Sequence, residues 1–196
     1  MSSSSAAPPD PAREAELVAR AAHGDREAMD ALLRAHERRI AAICLRMLGN
    51  PADASDAAQE AMLAVCRGVA RFDRRSAFST WVYRVTTNAC LDELRRRARR
   101  PTVGYDEAGG APEVERGVDD AVSARVTLED ALARLPAEHR AALVLRDLCA
   151  LDYAEIGDVL QIPPGTVRSR IARARAALAR DLGNRNDPHE RPTSRT

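Results

Sequence analysis

The sequence predicts an all-α protein made of two small helical domains joined by a flexible acidic linker, the second domain containing a helix-turn-helix. Apolar residues recur at three- and four-residue steps along most of the chain, while β-branched residues rarely alternate with polar ones. Residues 101–123 contain six acidic residues, interrupted by glycines and prolines that include Gly104, Gly109, Gly110 and Pro112, a composition typical of linkers. A chain of 196 residues is long enough for two modest helical cores.

The first domain is predicted at residues 11–100, after a disordered Ser-, Ala- and Pro-rich tail at 1–10. Asp10 and Asp25 are predicted N-caps, and Gly49-Asn50-Pro51 is a strong stop signal. Residues 72–79 lack helical periodicity and are predicted to form a structured loop, after which Ser79 or Thr80 caps the last helix. The predicted helices are approximately 11–22, 26–48, 53–69 and 81–99.

The second domain is predicted at residues 124–182, followed by a disordered tail at 183–196. Pro136, a short turn and Ile162-Pro163-Pro164-Gly165 divide it into four helices. These are approximately 126–135, 137–148, 152–160 and 166–182.

The last two helices form a predicted helix-turn-helix. Asp152 and Glu155 make a capping box on the first of them, and Thr166 is the predicted cap of the second. On the second helix an apolar stripe from Val167 to Leu182 lies opposite a face that is free of acidic residues, and such a face suits the major groove. An amphipathic helix with merely solvated arginines is the alternative. The predicted DNA-reading residues are Thr166, Arg168, Ser169, Arg170 and Arg173.

Aromatic residues are concentrated in the first domain. The chain has six, and four of them (Phe72, Phe78, Trp81 and Tyr83) lie within twelve positions. Residues 71–100 also contain nine arginines against three acidic residues. Aromatic faces that stack on unpaired bases, beside arginines that neutralise the backbone, are typical of single-strand binding. The alternative is a hydrophobic core, and we expect Tyr83 and at least one of the two phenylalanines to pack inward.

Enzyme and metal-binding functions lack support in the sequence. There is no P-loop, GxGxxG, HExxH or nucleophile elbow, and the four histidines and four cysteines are scattered. We therefore expect no catalytic residue, no cofactor and no metal. No run of about 18 apolar residues occurs, and the start lacks the order of a signal peptide, so we expect a cytoplasmic protein without membrane insertion.

Three motifs occur in the order and spacing of a known family. They are Asp53-Ala-Ser-Asp-Ala-Ala-Gln-Glu60; Phe78-Ser-Thr-Trp-Val-Tyr-Arg84 with Asn88 and Asp92-Glu-Leu-Arg-Arg96; and Tyr153-Ala-Glu-Ile156 with Gly165-Thr-Val-Arg-Ser-Arg170. Together they resemble the extracytoplasmic-function sigma factors of bacterial RNA polymerase, in particular the sigma-M-like subgroup. The resemblance covers roughly residues 14–182.

The resemblance implies a promoter-specificity subunit without catalytic activity of its own. Its expected partners are core RNA polymerase, through the beta-prime clamp helices and the beta flap, promoter DNA and an anti-sigma factor. The first domain would be sigma region 2 and the second sigma region 4, with the helix-turn-helix residues named above on the −35 element. The implied polymerase-binding residues are Asp53, Asp56, Gln59 and Glu60. The implied −10 residues, which also favour melting, are Phe72, Phe78, Ser79, Trp81, Arg84, Asn88, Asp92, Arg95 and Arg96.

Two positions depart from the family pattern. Gly157 lies where the family prefers alanine, and Gln161 lies at a turn position where it prefers glycine. Because a left-handed glutamine costs about 1 kcal/mol or more, a rearranged turn is expected.

A response-regulator-type activator is the main competing interpretation, because its C-terminal helix-turn-helix looks similar. Such a protein needs a receiver or ligand domain ahead of the DNA reader. Here the N-terminal half has helical periodicity, without alternating strands or an acidic cluster at strand ends.

Overall fold

The computed structural model describes residues 10–99 and 128–185, with side chains as far as Leu182. The described residues contain no strand, in agreement with the predicted all-α class. The linker predicted at 101–123 and most of both predicted tails lie outside the described residues. The elements are α1 (Pro11–Ala22), α2 (Arg26–Leu48), α3 (Pro51–Gly68), a 3-10 turn (Val69–Arg71), α4 (Phe78–Arg99), α5 (residues 128–134), α6 (Ala137–Asp147), α7 (Tyr153–Leu160) and α8 (Pro164–Arg185).

Helix α2 lies at the centre of the first domain and packs against α1, α3 and α4. Its fully buried side chains include Leu32, Ile40, Ile43 and Met47. Helix α3 contributes mostly small residues to this core, among them Ala57 and Ala61. Small side chains let helix axes approach closely. The opposite face of α3 is acidic and lies in solvent.

The helix boundaries in the first domain follow local capping chemistry. The Asp25 carboxylate accepts from the backbone N–H groups of Glu27 (3.0 Å) and Ala28 (3.1 Å), as predicted. Gly49 ends α2 in the left-handed region at φ 74°. Asn50 then caps α3 and Pro51 occupies its first position, so α3 begins two residues before the predicted Asp53.

Two other predicted boundaries were wrong. Helix α4 begins at Phe78 rather than Trp81, because Phe78 is buried in the core at 4% exposure and the Trp81 N–H already bonds to the Ala77 carbonyl. Helix α8 begins at Pro164, a favoured first helical residue, so Thr166 lies in the first turn instead of capping it. Helix α8 also continues to Arg185, into the segment predicted as a tail.

The second domain has its own core, formed where α8 packs on α6 and α7. Leu145, Ile156 and Val167 are fully buried in it. This packing leaves the opposite side of α8 in solvent.

The two domains contact each other, which the sequence did not predict. Ala141 and Val144 of α6 join the first domain's core, and Tyr83 of α4 packs against both cores. The buried Arg140 guanidinium donates to the Met47 carbonyl at the end of α2. On the periphery Arg39 donates to the Leu148 carbonyl.

Among the helices of the described ranges, none combines the length and the apolar character that a membrane span requires.

Candidate DNA- and polymerase-binding surfaces

The outer face of α3 presents three of the four predicted polymerase-binding residues. Asp56, Gln59 and Glu60 are exposed, and Glu60 makes an ion pair with Arg67 (2.6 Å). Asp53 differs, because its carboxylate lies 2.7 Å from the Arg97 guanidinium of α4 and its side chain is only 39% exposed. Asp53 therefore fixes α3 against α4 in addition to contributing charge.

A cleft of about 730 Å³ separates α3 from α4, and we call it the α3–α4 cleft. Asp56 and Glu60 line one wall, and Asn88 and Asp92 line the other. The structure thus brings together residues that the sequence assigned to two different partners. Asp92 pairs with Arg95 (2.8 Å), so its carboxylate is partly neutralised on its own helix.

Glu93 also lines this cleft and was missed in the sequence. It pairs with Arg96 (2.9 Å) and with Arg97 (3.1 Å), and Arg97 in turn pairs with Asp53. The four-residue step from Glu93 to Arg97 was a readable signal for the first half of this chain of ion pairs. The link to Asp53 has no local signal, because the two residues lie far apart in sequence.

Three of the four clustered aromatic residues pack on one another beside His36, and we call this group the ring cluster (His36, Phe72, Phe78 and Trp81). Phe78 is its buried member and contacts His36 edge-on with ring centroids 5.5 Å apart. Phe72 and Trp81 are partly exposed, with centroids 5.4 Å apart. The inward packing of one phenylalanine was predicted correctly, and a base contact by Phe78 would require this side chain to leave the core.

His36 links the ring cluster to α1. Its Nε2 donates to Glu14 Oε1 (2.9 Å), and the histidine is only 5% exposed. The sequence gave it no role beyond a surface or cap position. A buried polar ring needs such a partner, because an unsatisfied buried donor costs about 1–3 kcal/mol.

The remaining predicted −10 residues lie along α4 with different exposures. Asn88, Asp92, Arg95 and Arg96 are exposed, whereas Ser79 and Arg84 are partly buried. Tyr83 is also partly buried, and burial raises the pKa of its hydroxyl. This partly agrees with its expected core position.

The helix-turn-helix has the predicted capping box. Asp152 Oδ1 accepts from the N–H groups of Ala154 and Glu155, both at 2.8 Å, and the Glu155 carboxylate accepts from the Asp152 N–H at 2.8 Å. Three backbone N–H groups at the start of α7 are thereby satisfied.

The turn between α7 and α8 explains Gly157 but not Gln161, and the expected rearrangement of the turn was wrong. Gln161 does adopt the left-handed region at φ 55°, and its N–H bonds back to the Gly157 carbonyl. A Cβ on Gly157 would lie 2.8 Å from the Ile162 carbonyl oxygen, too close for any side chain. Glycine at 157 thus accommodates the close approach of the chain after Gln161, and the turn keeps its left-handed residue.

The exposed face of α8 contains the predicted DNA-reading arginines. Arg168 and Arg173 are exposed, and Arg170 is partly buried. Arg168 lies 5.8 Å from the centre of the Tyr153 ring, which supports its position, and the Ser169 hydroxyl donates to the Thr166 carbonyl (2.9 Å). Arg175 is instead paired with Asp147 of α6 (2.7 Å).

Cys44, Cys90 and Cys149 are structural in their environment. Cys44 and Cys90 are fully buried with their sulfur atoms 3.6 Å apart, and the hydrogen bond to Cys44 together with burial raises the pKa of the Cys90 thiol far above its usual range. Burial raises the pKa of Cys149 to about 12. Within the described part of the chain no three His, Cys, Asp or Glu residues are grouped as metal ligands.

Comparison with known proteins gives the family. Residues 32–100 match sigma-70 region 2, and residues 125–178 match sigma-70 region 4. The chain is 40% identical over 173 residues to the ECF RNA polymerase sigma factor SigM of Mycobacterium tuberculosis (strain ATCC 25618 / H37Rv), which covers 88% of this chain and 86% of that protein. This chain is an extracytoplasmic-function sigma factor. As such it is a specificity subunit that directs RNA polymerase to promoters and is not an enzyme.

Other similarities extend along most of this sigma factor. The ECF RNA polymerase sigma factor SigW of Bacillus subtilis is 35% identical, covering 81% of this chain and 91% of the relative. Among solved structures, that of CnrH in complex with the cytosolic domain of CnrY has a TM-score of 0.67 at 23% identity, covering 91% of this chain and 100% of CnrH. The sigma factor RpoE, in complex with the anti-sigma factor NepR from Bartonella quintana, has a TM-score of 0.65 at 20% identity, with 79% and 96% covered. Both structures support the fold.

Proposed function

We propose that this sigma factor divides promoter recognition among three surfaces. The outer face of α3 binds the beta-prime clamp helices of the polymerase through Asp56, Gln59 and Glu60, with Asp53 fixed behind them. The loop and helix from Phe72 to Arg96 bind the −10 element and favour its melting. The exposed face of α8 binds the −35 element as a duplex, and the second domain also contacts the beta flap.

The observation that supports this division best is the electrostatic contrast between α3 and α8. The exposed face of α3 holds Asp56, Gln59 and Glu60, and its two carboxylates suit a basic protein partner and repel phosphate. On α8, residues 166–180 contain five arginines and no acidic residue. The two surfaces therefore cannot exchange partners.

Promoter opening follows from differential binding. Free duplex DNA hides its bases, and stacking on a partly exposed aromatic ring is available only to an unpaired base. The partly exposed Trp81 ring and the exposed arginines Arg71, Arg74 and Arg75 earlier in the chain support a surface that holds the opened strand better than the closed duplex. The experiment that tests the function is transcription in vitro with purified core polymerase, followed by start-site mapping. Starts that appear equally with core polymerase alone would contradict it.

Arg173→Ala tests the −35 surface. We expect initiation that depends on the −35 element to weaken by about 1–3 kcal/mol, the range for loss of an arginine contact to a base. Arg134→Ala is the matched control, because Arg134 is exposed on α5 and pairs with Asp181 at 3.5 Å. Equal footprints and equal initiation for both variants would contradict the assignment of α8.

Asp56→Asn tests the polymerase surface separately. We expect weaker assembly with core polymerase, measured by competition against the unaltered chain, because the exposed negative charge of Asp56 is removed while its size is kept. If Asp56→Asn still assembles with core polymerase but no longer recognises the −10 element, the α3–α4 cleft binds DNA and not the polymerase.

An anti-sigma factor and a cytoplasmic site of action complete the proposal. CnrH and RpoE were solved as complexes with CnrY and NepR, and their fold similarity to this chain supports a regulator of the same kind. A subunit of RNA polymerase acts where the chromosome is, in the cytoplasm. A protein that co-purifies with this sigma factor supports the proposed anti-sigma partner only if it also blocks assembly of the sigma factor with core polymerase.

A further inference from the structure

Gly68 ends α3 at a point where no side chain fits. Its φ of −97° and ψ of −18° are open to every residue, so the backbone does not require glycine. A Cβ at this position would lie 2.9 Å from Trp81 Cζ2 and 3.1 Å from Trp81 Cη2. The benzo edge of the indole occupies the space that a side chain would need.

The ring cluster holds the same indole from its other sides. The Trp81 ring is tilted 44° to Phe72 and 34° to Phe78, with centroid separations of 5.4 and 5.5 Å. Phe78 is itself fixed by burial against His36. Trp81 therefore has a defined orientation although part of it remains exposed.

Three arginines lie between Gly68 and Trp81 in the chain. Arg71, Arg74 and Arg75 follow Gly68 closely and are exposed, and the pair of Arg75 with Asp73 is long at 3.8 Å. A nucleic-acid strand that tracks these arginines would bring its bases to the indole. Stacking then depends on the ring having the correct tilt before the base arrives.

We propose that Gly68 is a positioning residue for promoter opening: its missing side chain lets Trp81 lie against the end of α3, where the indole stacks on an unpaired −10 base. Gly68 itself does not contact DNA. This inference rests on the proposed role of the −10 surface.

Gly68→Ala in the full chain, assembled with core polymerase, tests it. We expect promoter opening, measured by permanganate reactivity of unpaired thymines, to fall roughly tenfold, within the range for loss of one base–aromatic stack. Assembly with core polymerase should stay unchanged. If the unaltered chain opens no promoter, the proposed function fails; if it does and Gly68→Ala opens the promoter equally well, only the present inference fails.

A double-variant cycle separates positioning from general packing. Trp81→Phe removes the benzo edge that a Cβ at 68 would meet, so Gly68→Ala should have almost no further effect on opening in the Trp81→Phe background. An equal additional loss in that background overturns the inference. Gly165→Ala is the matched control for the effect of a glycine-to-alanine change on stability, since its new methyl group would meet nothing within 4 Å.

A measurement on the unaltered sequence does not depend on whether Gly68→Ala folds. Trp81 is the only tryptophan, so 5-fluorotryptophan labels a single site in this subunit. We expect its ¹⁹F resonance in the holoenzyme to shift with a promoter fragment premelted at −10, and to shift less with the closed duplex. An unchanged resonance with the premelted fragment overturns the inference.

Discussion

Arg140→Ala should destabilise this sigma factor far more than loss of any surface arginine. The guanidinium is buried at 5% exposure and donates to three backbone carbonyls, those of Met47, Ala133 and Leu135. These carbonyls belong to the C-terminal ends of α2 and α5, where the last four C=O groups of a helix lack intrahelical partners. A positive charge there also interacts favourably with both helix dipoles.

The expected magnitude follows from those three bonds. A hydrogen bond to a charged group contributes about 1.5–3 kcal/mol, and a buried carbonyl left without a partner costs about 1–3 kcal/mol. Burial reduces the net stabilisation that Arg140 provides. It lowers the pKa of the guanidinium, and its Nε has no partner in the described structure. We therefore expect a net loss of about 3 kcal/mol for Arg140→Ala. Arg140→Lys should recover part of it, since one ammonium cannot reach three separated carbonyls.

Urea unfolding of the full chain at pH 7, followed by circular dichroism, measures this loss. Arg134→Ala is the control, because its side chain is 54% exposed and its ion pair should contribute less than about 1 kcal/mol. A loss for Arg140→Ala no larger than that of the control would refute the capping argument.

Two further predictions concern the turn and the thiols. Gln161→Gly should raise the free energy of unfolding by about 0.5–1 kcal/mol, because the relief of left-handed strain exceeds the extra entropy that glycine gives the unfolded chain. A lower urea midpoint would contradict this. In the native protein at pH 8, Ellman's reagent should react promptly with Cys66 alone. Cys149 has a pKa of about 12, so roughly one of its thiols in 10,000 is ionised at this pH. The Cys44–Cys90 pair is buried and out of reach of the reagent. Prompt reaction of two or more thiols would contradict it.

Much of the fold was predictable because its signals are local. The caps at Asp25 and Asp152 and the periodicity of α8 depend on residues within one or two turns of each other. The start of α4 was not predictable in this way. Ser79 and Thr80 look like caps, but the burial of Phe78 extends the helix past them, and burial is a property of the packed domain.

The candidate site shows the same division. The order of the motifs predicted separate surfaces for the polymerase and for DNA. Residues of both sets line the α3–α4 cleft, and this could not be predicted from the order of the motifs. Asp53 looked like a free acidic residue because its partner Arg97 lies on another helix. Gly68 carried no signal in the sequence, and only the position of Trp81 shows why a side chain is excluded.

The hydrogen bonds of Arg140 are divided unequally between the two domains. Two of its three acceptors, Ala133 and Leu135, belong to its own domain, so separation of the domains breaks only the bond to Met47. Water can then reach the freed carbonyl, whereas removal of the arginine leaves all three acceptors without their donor. The 28 residues between Arg99 and Leu128 could span at most about 100 Å, nearly three turns of B-DNA at about 34 Å each. The covalent connection therefore permits the two domains to bind separate promoter elements.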